Sequence, residues 1–443
     1  MTNWTGDRQN QVLGLVKLNS DMALVFYYPK PNRYSINTLA GALEETPEFG
    51  ELSMYFVESE RDLFTGLKTI TGKHRKVVVG LSFFTPQLWE TAALISRLKK
   101  EYGNAIFLIA GGPHPTGDPE GTLGLGVDVV VRGEGEETLV ELLGKFGREE
   151  DYTSVKGIVY MEKRGGIRFT GRRRPVNLNK YPPFAIKHRL FSPIEITRGC
   201  PYLCSFCQTG HIFGPQPRHR SIENILGYVR LLTERGLTDI KFITPNAFSY
   251  GSPDGKTINV NKLEALLRGV RAIIGNRGRI FMGSFPSEVR PEHVTEETVN
   301  LVRKYANNDN LIIGAQSGSQ RILDLCHRGH KVEDIFRAVD ITVRAGLVAN
   351  VDFIFGLPGE EPADVKQTIQ VIKELVERGA RVHAHTFMPL PQTAFAKKPA
   401  GRISKELENL INILNASHKV YGHWREQEKL AEKIARYLTG GCL

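Results

Sequence analysis

At 443 residues the chain is too long for one ordinary core, so two domains with an appendage are expected. Its 41% hydrophobic and 24% charged residues are those of a globular protein, no apolar run approaches the ~20 residues of a membrane span, and Met1-Thr2-Asn3-Trp4 lacks the basic and apolar regions of a signal peptide, so a cytoplasmic protein is expected. The net charge of +10 favours an acidic partner, whether a phosphate-rich cofactor, RNA or an acidic protein surface.

From residue 21 to 150, short apolar strands at 23–28, 77–82, 106–110 and 127–131 alternate with helical patterns, notably 88–102. That alternation predicts an α/β, doubly wound (Rossmann-like) domain over 1–150, with ligands at the carboxyl ends of its strands. Two such ends carry glycine-bearing turns: Ala110-Gly111-Gly112-Pro113-His114-Pro115 and Val131-Arg132-Gly133-Glu134-Gly135-Glu136. Small residues there let backbone approach a large ligand, and the second turn opens a helix whose amino terminus favours polar or anionic groups. Residues 151–190 are basic and glycine-containing, are stopped by Tyr181-Pro182-Pro183, and are expected to form a linker. Strands at 193–197, 239–244, 279–284, 310–315, 348–355 and 381–388, separated by helical lengths, predict a partial (β/α)6 barrel over 191–390. Residues 391–443 are expected to be helical, with Leu407, Leu410, Ile411 and Leu414 at three- and four-residue spacing.

Five cysteines are too few for a disulfide framework, and three fall within eight residues. In Thr197-Arg198-Gly199-Cys200-Pro201-Tyr202-Leu203-Cys204-Ser205-Phe206-Cys207 a strand enters a loop whose thiolates recur after three and then two residues. Such a set can hold three corners of a [4Fe-4S] cubane and leave one iron open. A zinc site completed by His211, or three unconnected core cysteines, are the other readings of these residues. Cys326 is expected as a buried structural thiol and Cys442 as an exposed one in the tail.

The Cys200, Cys204 and Cys207 motif resembles that of the radical S-adenosylmethionine (SAM) superfamily, and the glycine turns at 110–115 and 131–138 resemble the cobalamin-binding domain that precedes many of its barrels. Together the resemblance is to the cobalamin-dependent radical SAM enzymes. It implies a [4Fe-4S] cluster on the three cysteines, SAM on the open iron, and cleavage of SAM to a 5′-deoxyadenosyl radical. Among SAM contacts it implies Phe206 beside the third cysteine and Thr244-Pro245-Asn246 after the second strand, where the family has a glycine-rich turn that this chain lacks. Ser284, Ser287 and Glu288 after the third strand, Gln316 and Ser317 in a turn similar to that of methylthiotransferases, and Phe355 in the following strand complete that set. For cobalamin it implies Asn32, Arg33 and Tyr34 under the corrin, with Ser82, Thr85, Gly111, Gly112, Pro113, His114, Gly133, Glu134, Gly135 and Glu136 around it. The segment Tyr28-Pro29-Lys30-Pro31-Asn32-Arg33-Tyr34 holds no histidine, so the Asp-x-His-x-x-Gly ligand motif of the mutases is absent and cobalt is expected without an axial histidine. His114, between two prolines, is expected to pack against the nucleotide tail or a loop.

The resemblance further implies a methylcobalamin-using C-methyltransferase acting on an unactivated carbon. Its specific form would be the archaeal modification of a glutamine α-carbon in methyl-coenzyme M reductase, with a protein substrate, a ferredoxin or flavodoxin as electron donor, and neither membrane nor nucleic acid as partner. Candidate gates are His383, His385 and Met388 on the last strand and residues 421–424 in the tail. Alternatives are an enzyme modifying a small molecule, an RNA methylthiotransferase, or a non-enzymatic corrinoid or cluster sensor. The methylthiotransferases carry a second cysteine trio in the amino-terminal domain, whereas no cysteine precedes Cys200.

Overall fold

The computed structural model describes residues 21–441, so Cys442 and the first twenty residues of the expected amino-terminal domain lie outside the described residues. Strands β1 (Met22–Tyr27), β2 (Ser53–Val57), β3 (Lys76–Ser82), β4 (Phe107–Gly111), β5 (Val129–Val131), β6 (Ile158–Met161) and β7 (Ile167–Phe169) form one sheet in the order β2-β1-β3-β4-β5-β6-β7. The first five are parallel, and β6 and β7 are antiparallel. Because β1 is Met-Ala-Leu-Val-Phe-Tyr, it is apolar on both faces and needs cover on both. Ala23 and Val25 pack with helices Glu60–Lys73 and Leu88–Tyr102, whereas Leu24 and Phe26 pack with helices Arg33–Glu44 and Glu136–Gly147. The helices that follow β1 and β3 therefore leave on opposite faces. A crevice opens between the carboxyl ends of these two strands, the usual ligand position in such sheets.

Two features depart from expectation. Strand β2 was absent from the sequence-based set; it is an edge strand with all five residues half-buried, so its composition carries no core signature. The stretch expected as a linker contributes the β6–β7 hairpin to the sheet. Gly165 and Gly166, at φ +79° and +110°, make the tight turn of that hairpin.

The second half contains β8 (Ile194–Glu195), β9 (Thr197–Arg198), β10 (Arg218–His219), β11 (Asp239–Ile243), β12 (Arg279–Phe281), β13 (Asn310–Gln316), β14 (Val348–Phe355), β15 (Arg381–Thr386) and β16 (Val420–Tyr421). The parallel arcs β12-β11-β8 and β13-β14-β15-β16 are joined by a bridge between Val289 and Ile313, and all six expected barrel strands are present. β16 adds a seventh from the carboxyl-terminal region, which was expected to be helical throughout and otherwise supplies helices Lys405–Ala416 and Trp424–Leu438. Alternation decides which residues face inward. Phe242, Ile313, Val351, Phe353, Phe355, Val382 and Ala384 point outward into the core beneath the helices, while Glu195, Ile243, Gln316, Asp352, Ile354 and His385 line the interior. Among the described residues no helix is long and apolar enough to cross a membrane.

Candidate functional site

A cavity of about 780 Å³ lies where the carboxyl ends of the first sheet meet the barrel mouth, and Cys200, Cys204 and Cys207 are all on its wall. The loop carrying them is held from several sides. Gly199, at φ +93°, sits where a Cβ would come within 2.3 Å of the Gln216 carbonyl, so only glycine passes. The Cys200 N–H donates to the Gly214 carbonyl, and the Cys207 N–H closes a tight turn onto Cys204 O. Ser205 donates through its N–H to Cys326 O (3.0 Å) and through its hydroxyl to Leu325 O (3.2 Å). Gln208 donates to Pro113 O of the amino-terminal domain at 3.2 Å and to Pro391 O at 3.0 Å. Cys326 is fully buried beside Ile322, Leu357, Phe387 and Phe395, in accord with a structural thiol.

Burial pushes the Cys200 thiol up and the Cys207 thiol up to about 11. Among the described residues, the only histidine, cysteine or carboxylate group of three or more with ligand atoms all within 4.8 Å of one another is Asp352, His383 and His385. The three sulfurs are therefore spread more widely than a tetrahedral zinc ion, with Zn–S bonds of ~2.3 Å, would hold them. Three thiolates around a space too wide for one ion fit a polynuclear cluster with an open corner.

Opposite them, Gly111, Gly112, Gly133 and Gly135 present backbone to the cavity, with Tyr34, Ser35 and Ser82 at the β1–β3 crevice, where the two serine hydroxyls lie 3.1 Å apart. Gly133, at φ +84°, has nothing within 4 Å of where a Cβ would stand. Asn32, behind this wall, is 3% exposed. These features fit a corrin. Of the expected cobalamin contacts, Tyr34, Ser82, Gly111, Gly112, Pro113, Gly133, Glu134, Gly135 and Glu136 border the cavity, and Asn32, Arg33, Thr85 and His114 do not. Arg33 pairs with Glu58 at 2.6 Å. His114 is fully buried, stacked on Phe83, within 3.2 Å of the Thr85 hydroxyl and pushed down to about 4 by burial.

Glu134 and Glu136 are committed across the domain boundary, which sequence reasoning missed. Arg198 reaches Glu134 at 3.1 Å, Glu136 at 2.8 Å and Glu195 at 2.6 Å, and Arg218 also pairs with Glu134. Burial alone would raise the Glu136 carboxyl; the charge and hydrogen bond of Arg198 outweigh it and hold the group below the usual range. The one sequence signal for Arg198 was its position two residues before the first cysteine.

Of the expected SAM contacts, Phe206, Pro245, Asn246, Glu288 and Gln316 line the cavity. Gln316 is 5% exposed at φ +74°, a backbone region costly for a side chain and common at functional sites. Thr244, Ser284, Ser287, Ser317 and Phe355 do not border it. Thr244 donates to Asn246 O, Ser287 to Phe242 O, and Ser317 accepts from the Ser319 N–H, while Phe355 lies on the outward face of β14. Asn246 is itself engaged by His293 at 2.6 Å.

On the barrel floor His385 and Met388 border the cavity, and His383 sits beneath them, stacked on Tyr421. The Thr386 N–H donates to Gln427 Oε1 (2.9 Å), which turns the amide nitrogen of Gln427 toward His385 Nδ1 (3.3 Å). His385 Nε2 lies 3.1 Å from His383 Nδ1, and Asp352 Oδ1 lies 3.0 Å from that same His383 nitrogen, which serves one of the two neighbours at a time. Asp352, His383 and His385 thus form a contiguous polar floor, with Gln427 against His385. Neither Asp352 nor Gln427 was marked as a site residue from sequence.

The fold and site thus define a protein in which a doubly wound ligand-binding domain caps an incomplete barrel bearing a three-thiolate loop. Residues 194–372 match the radical SAM superfamily and residues 34–143 the B12 binding domain. The chain thus carries a B12-binding domain ahead of a radical SAM domain. It is 28% identical over 373 residues to an uncharacterized protein of Methanopyrus kandleri, covering 73% of this chain and 68% of that one. It is 27% identical over 329 residues to an uncharacterized methyltransferase of Pyrococcus horikoshii, covering 70% and 67%. A tRNA-2-methylthio-N(6)-dimethylallyladenosine synthase of Moorella thermoacetica is 31% identical over 231 residues, which is 50% of this chain and 49% of that enzyme. Among solved structures, the radical SAM methyltransferase TsrM of Kitasatospora setae, with cobalamin and a [4Fe-4S] cluster, has a TM-score of 0.66 at 18% identity, covering 86% of this chain and 78% of that one. The cobalamin-dependent SAM radical enzyme OxsB with aqua-cobalamin has 0.63 at 15%, covering 81% and 52%. These likenesses show a shared fold.

Proposed function

We propose that the protein is a cobalamin-dependent radical SAM methyltransferase that places a methyl group on an unactivated carbon. The observation that carries this reading is the single cavity walled on one side by the three cysteines and on the other by the glycine-bearing strand ends of the B12-binding domain. When bound, the cluster with SAM supplies a hydrogen-abstracting radical and the cobalamin a transferable methyl group. The chain's own residues hold the reacting carbon between these two platforms. Leu203, Phe206, Phe213, Ile354 and Phe387 make the walls apolar and exclude water, while Gln316, Asp352 and His385 orient polar groups of the substrate. Cobalt is proposed to lack an axial histidine, a reading supported by the histidine-free segment 28–34 after the first strand.

The proposed substrate is a protein, with the glutamine α-carbon of methyl-coenzyme M reductase as the specific candidate and a ferredoxin or flavodoxin as electron donor; the net charge of +10 is compatible with an acidic protein surface. Methylthiolation of RNA is the second reading, favoured by the similarity to the tRNA-modifying synthase and opposed by the lack of any cysteine before Cys200. Anaerobic purification with cobalamin, iron analysis and a mass search for methylated product test the proposal. Replacing any one of Cys200, Cys204 and Cys207 by Ala is expected to abolish SAM cleavage and leave cobalamin bound. Methylthio product from the intact enzyme would favour the second reading, and cobalamin loss in the cysteine variants would refute the division of the cavity.

A further inference from the structure

Among the described residues, Arg328 is a buried cation without an ion-pair partner. It is 5% exposed; Nη2 donates to Gly314 O at 2.6 Å, Nη1 lies 3.6 Å from Cys204 Sγ, and Nε has no hydrogen-bond partner. The Glu288 and Glu292 carboxylates act on it through space, but neither makes an ion pair with it; Glu292 is engaged by Arg290 at 2.5 Å, and burial pushes the Glu288 carboxyl up despite Arg328. A lone buried guanidinium is costly unless something else carries the matching charge.

The turn that presents Arg328 is built for this placement. His327 and Gly329 flank it at φ +54° and +77°, the Arg328 N–H donates to Leu323 O, and the Arg290 guanidinium donates to Arg328 O. Arg290 also lies 3.4 Å from the ring centroid of Tyr202, inside the cluster loop between Cys200 and Cys204. The same turn grips Ser205 through Leu325 O and Cys326 O. The guanidinium is thus rigid with respect to one sulfur of the trio.

We propose that Arg328 is the charge partner of the Cys204 thiolate and raises the reduction potential of the cluster held by Cys200, Cys204 and Cys207. The inference rests on the cluster reading above. One electron from a low-potential one-electron donor enters the cluster and no bond breaks in that step, so the reduced cluster carries one more negative charge than the oxidised one. A fixed positive charge in a low-dielectric wall stabilises the reduced form more, and a hydrogen bond to a ligating sulfur acts in the same direction. Arg328 is a positioning residue in this account.

The test is the midpoint potential of the anaerobically reconstituted full-length enzyme, titrated with dithionite and followed by electron paramagnetic resonance, in wild type, Arg328→Gln and Arg328→Lys. With four irons per chain retained, Arg328→Gln is expected to be reduced roughly tenfold less readily, a shift of about 59 mV to lower potential. Arg328→Lys, which keeps the charge and loses the fork, is expected to recover most of that shift. An unchanged potential in a fully loaded Arg328→Gln protein overturns the proposal. Loss of iron in both variants, or weakened SAM binding at unchanged potential, would assign Arg328 to folding or to SAM and equally overturn it. A wild-type enzyme that assembles no cluster would instead defeat the functional reading beneath it.

Discussion

His114 shows how a residue's chemistry is set by what surrounds it. Between Pro113 and Pro115 it has the look of a metal ligand, yet it stacks on Phe83 and faces the Thr85 hydroxyl away from the cavity. Its folded pKa, pushed down to about 4 by burial, lies below the ordinary 6.5. The unfolded chain therefore binds more protons than the native one as pH falls from 6.5 toward 4. Its contribution is complete above that window and is lost across it, on the order of 3 kcal/mol. His330 and His385, pushed down to about 3 and about 4 by burial, act in the same sense, while Glu360, raised to about 7 by burial, opposes them between about 4.5 and 7. The wild-type melting temperature should fall between pH 7 and pH 5, and His114→Phe, which keeps the ring stack, should fall less. The absorption spectrum of bound cobalamin should be the same in both proteins; a shifted spectrum would make His114 a ligand.

At the scale of an element, the turn after β4 matters through its backbone. Gly112 has φ +98°, and a Cβ there would stand 2.8 Å from Ser82 Oγ and 3.0 Å from Phe83 N at the end of β3. Gly112→Ala is expected to cost roughly 1–2 kcal/mol in backbone conformation and to displace the β3 end. Equilibrium dialysis should show cobalamin affinity reduced by about tenfold or more, the equivalent of ~1.4 kcal/mol. Gly133→Ala is the comparison: at φ +84° it carries a similar backbone strain, but nothing of the protein lies within 4 Å of the added carbon, so a smaller loss of affinity is expected there.

For the whole molecule, the charge cluster of Arg198 with Glu134, Glu136 and Glu195 couples the two domains. Removing one member of a buried network strands the others, a penalty of about 3–5 kcal/mol. Arg198→Met should lower the unfolding free energy by that amount, read from urea titration followed by circular dichroism. Adding Glu136→Gln should recover part of it, because the stranded charge is removed, whereas Glu134 keeps its pair with Arg218. No recovery in the combined variant would refute the charge-network account. The tail helix adds a second tie, since the Tyr437 hydroxyl donates to Asp118 of the first domain.

The alternation of apolar strands and helical lengths determined the two α/β units and all six expected barrel strands, because burying β1 or β14 requires apolar residues that the sequence displays openly. The spacing of Cys200, Cys204 and Cys207 likewise determined a shared site, since a loop that short can only gather its thiolates locally. Tertiary structure decided what no local pattern encodes. Strand parity turned Phe355 outward and Asp352 inward, β16 and Gln427 came from a tail read as helix alone, and Glu134 and Glu136 met Arg198 across more than sixty residues. Arg328 came to lie beside Cys204 in the same way, because charge pairing and side-chain facing are set by long-range packing rather than by neighbours in the chain.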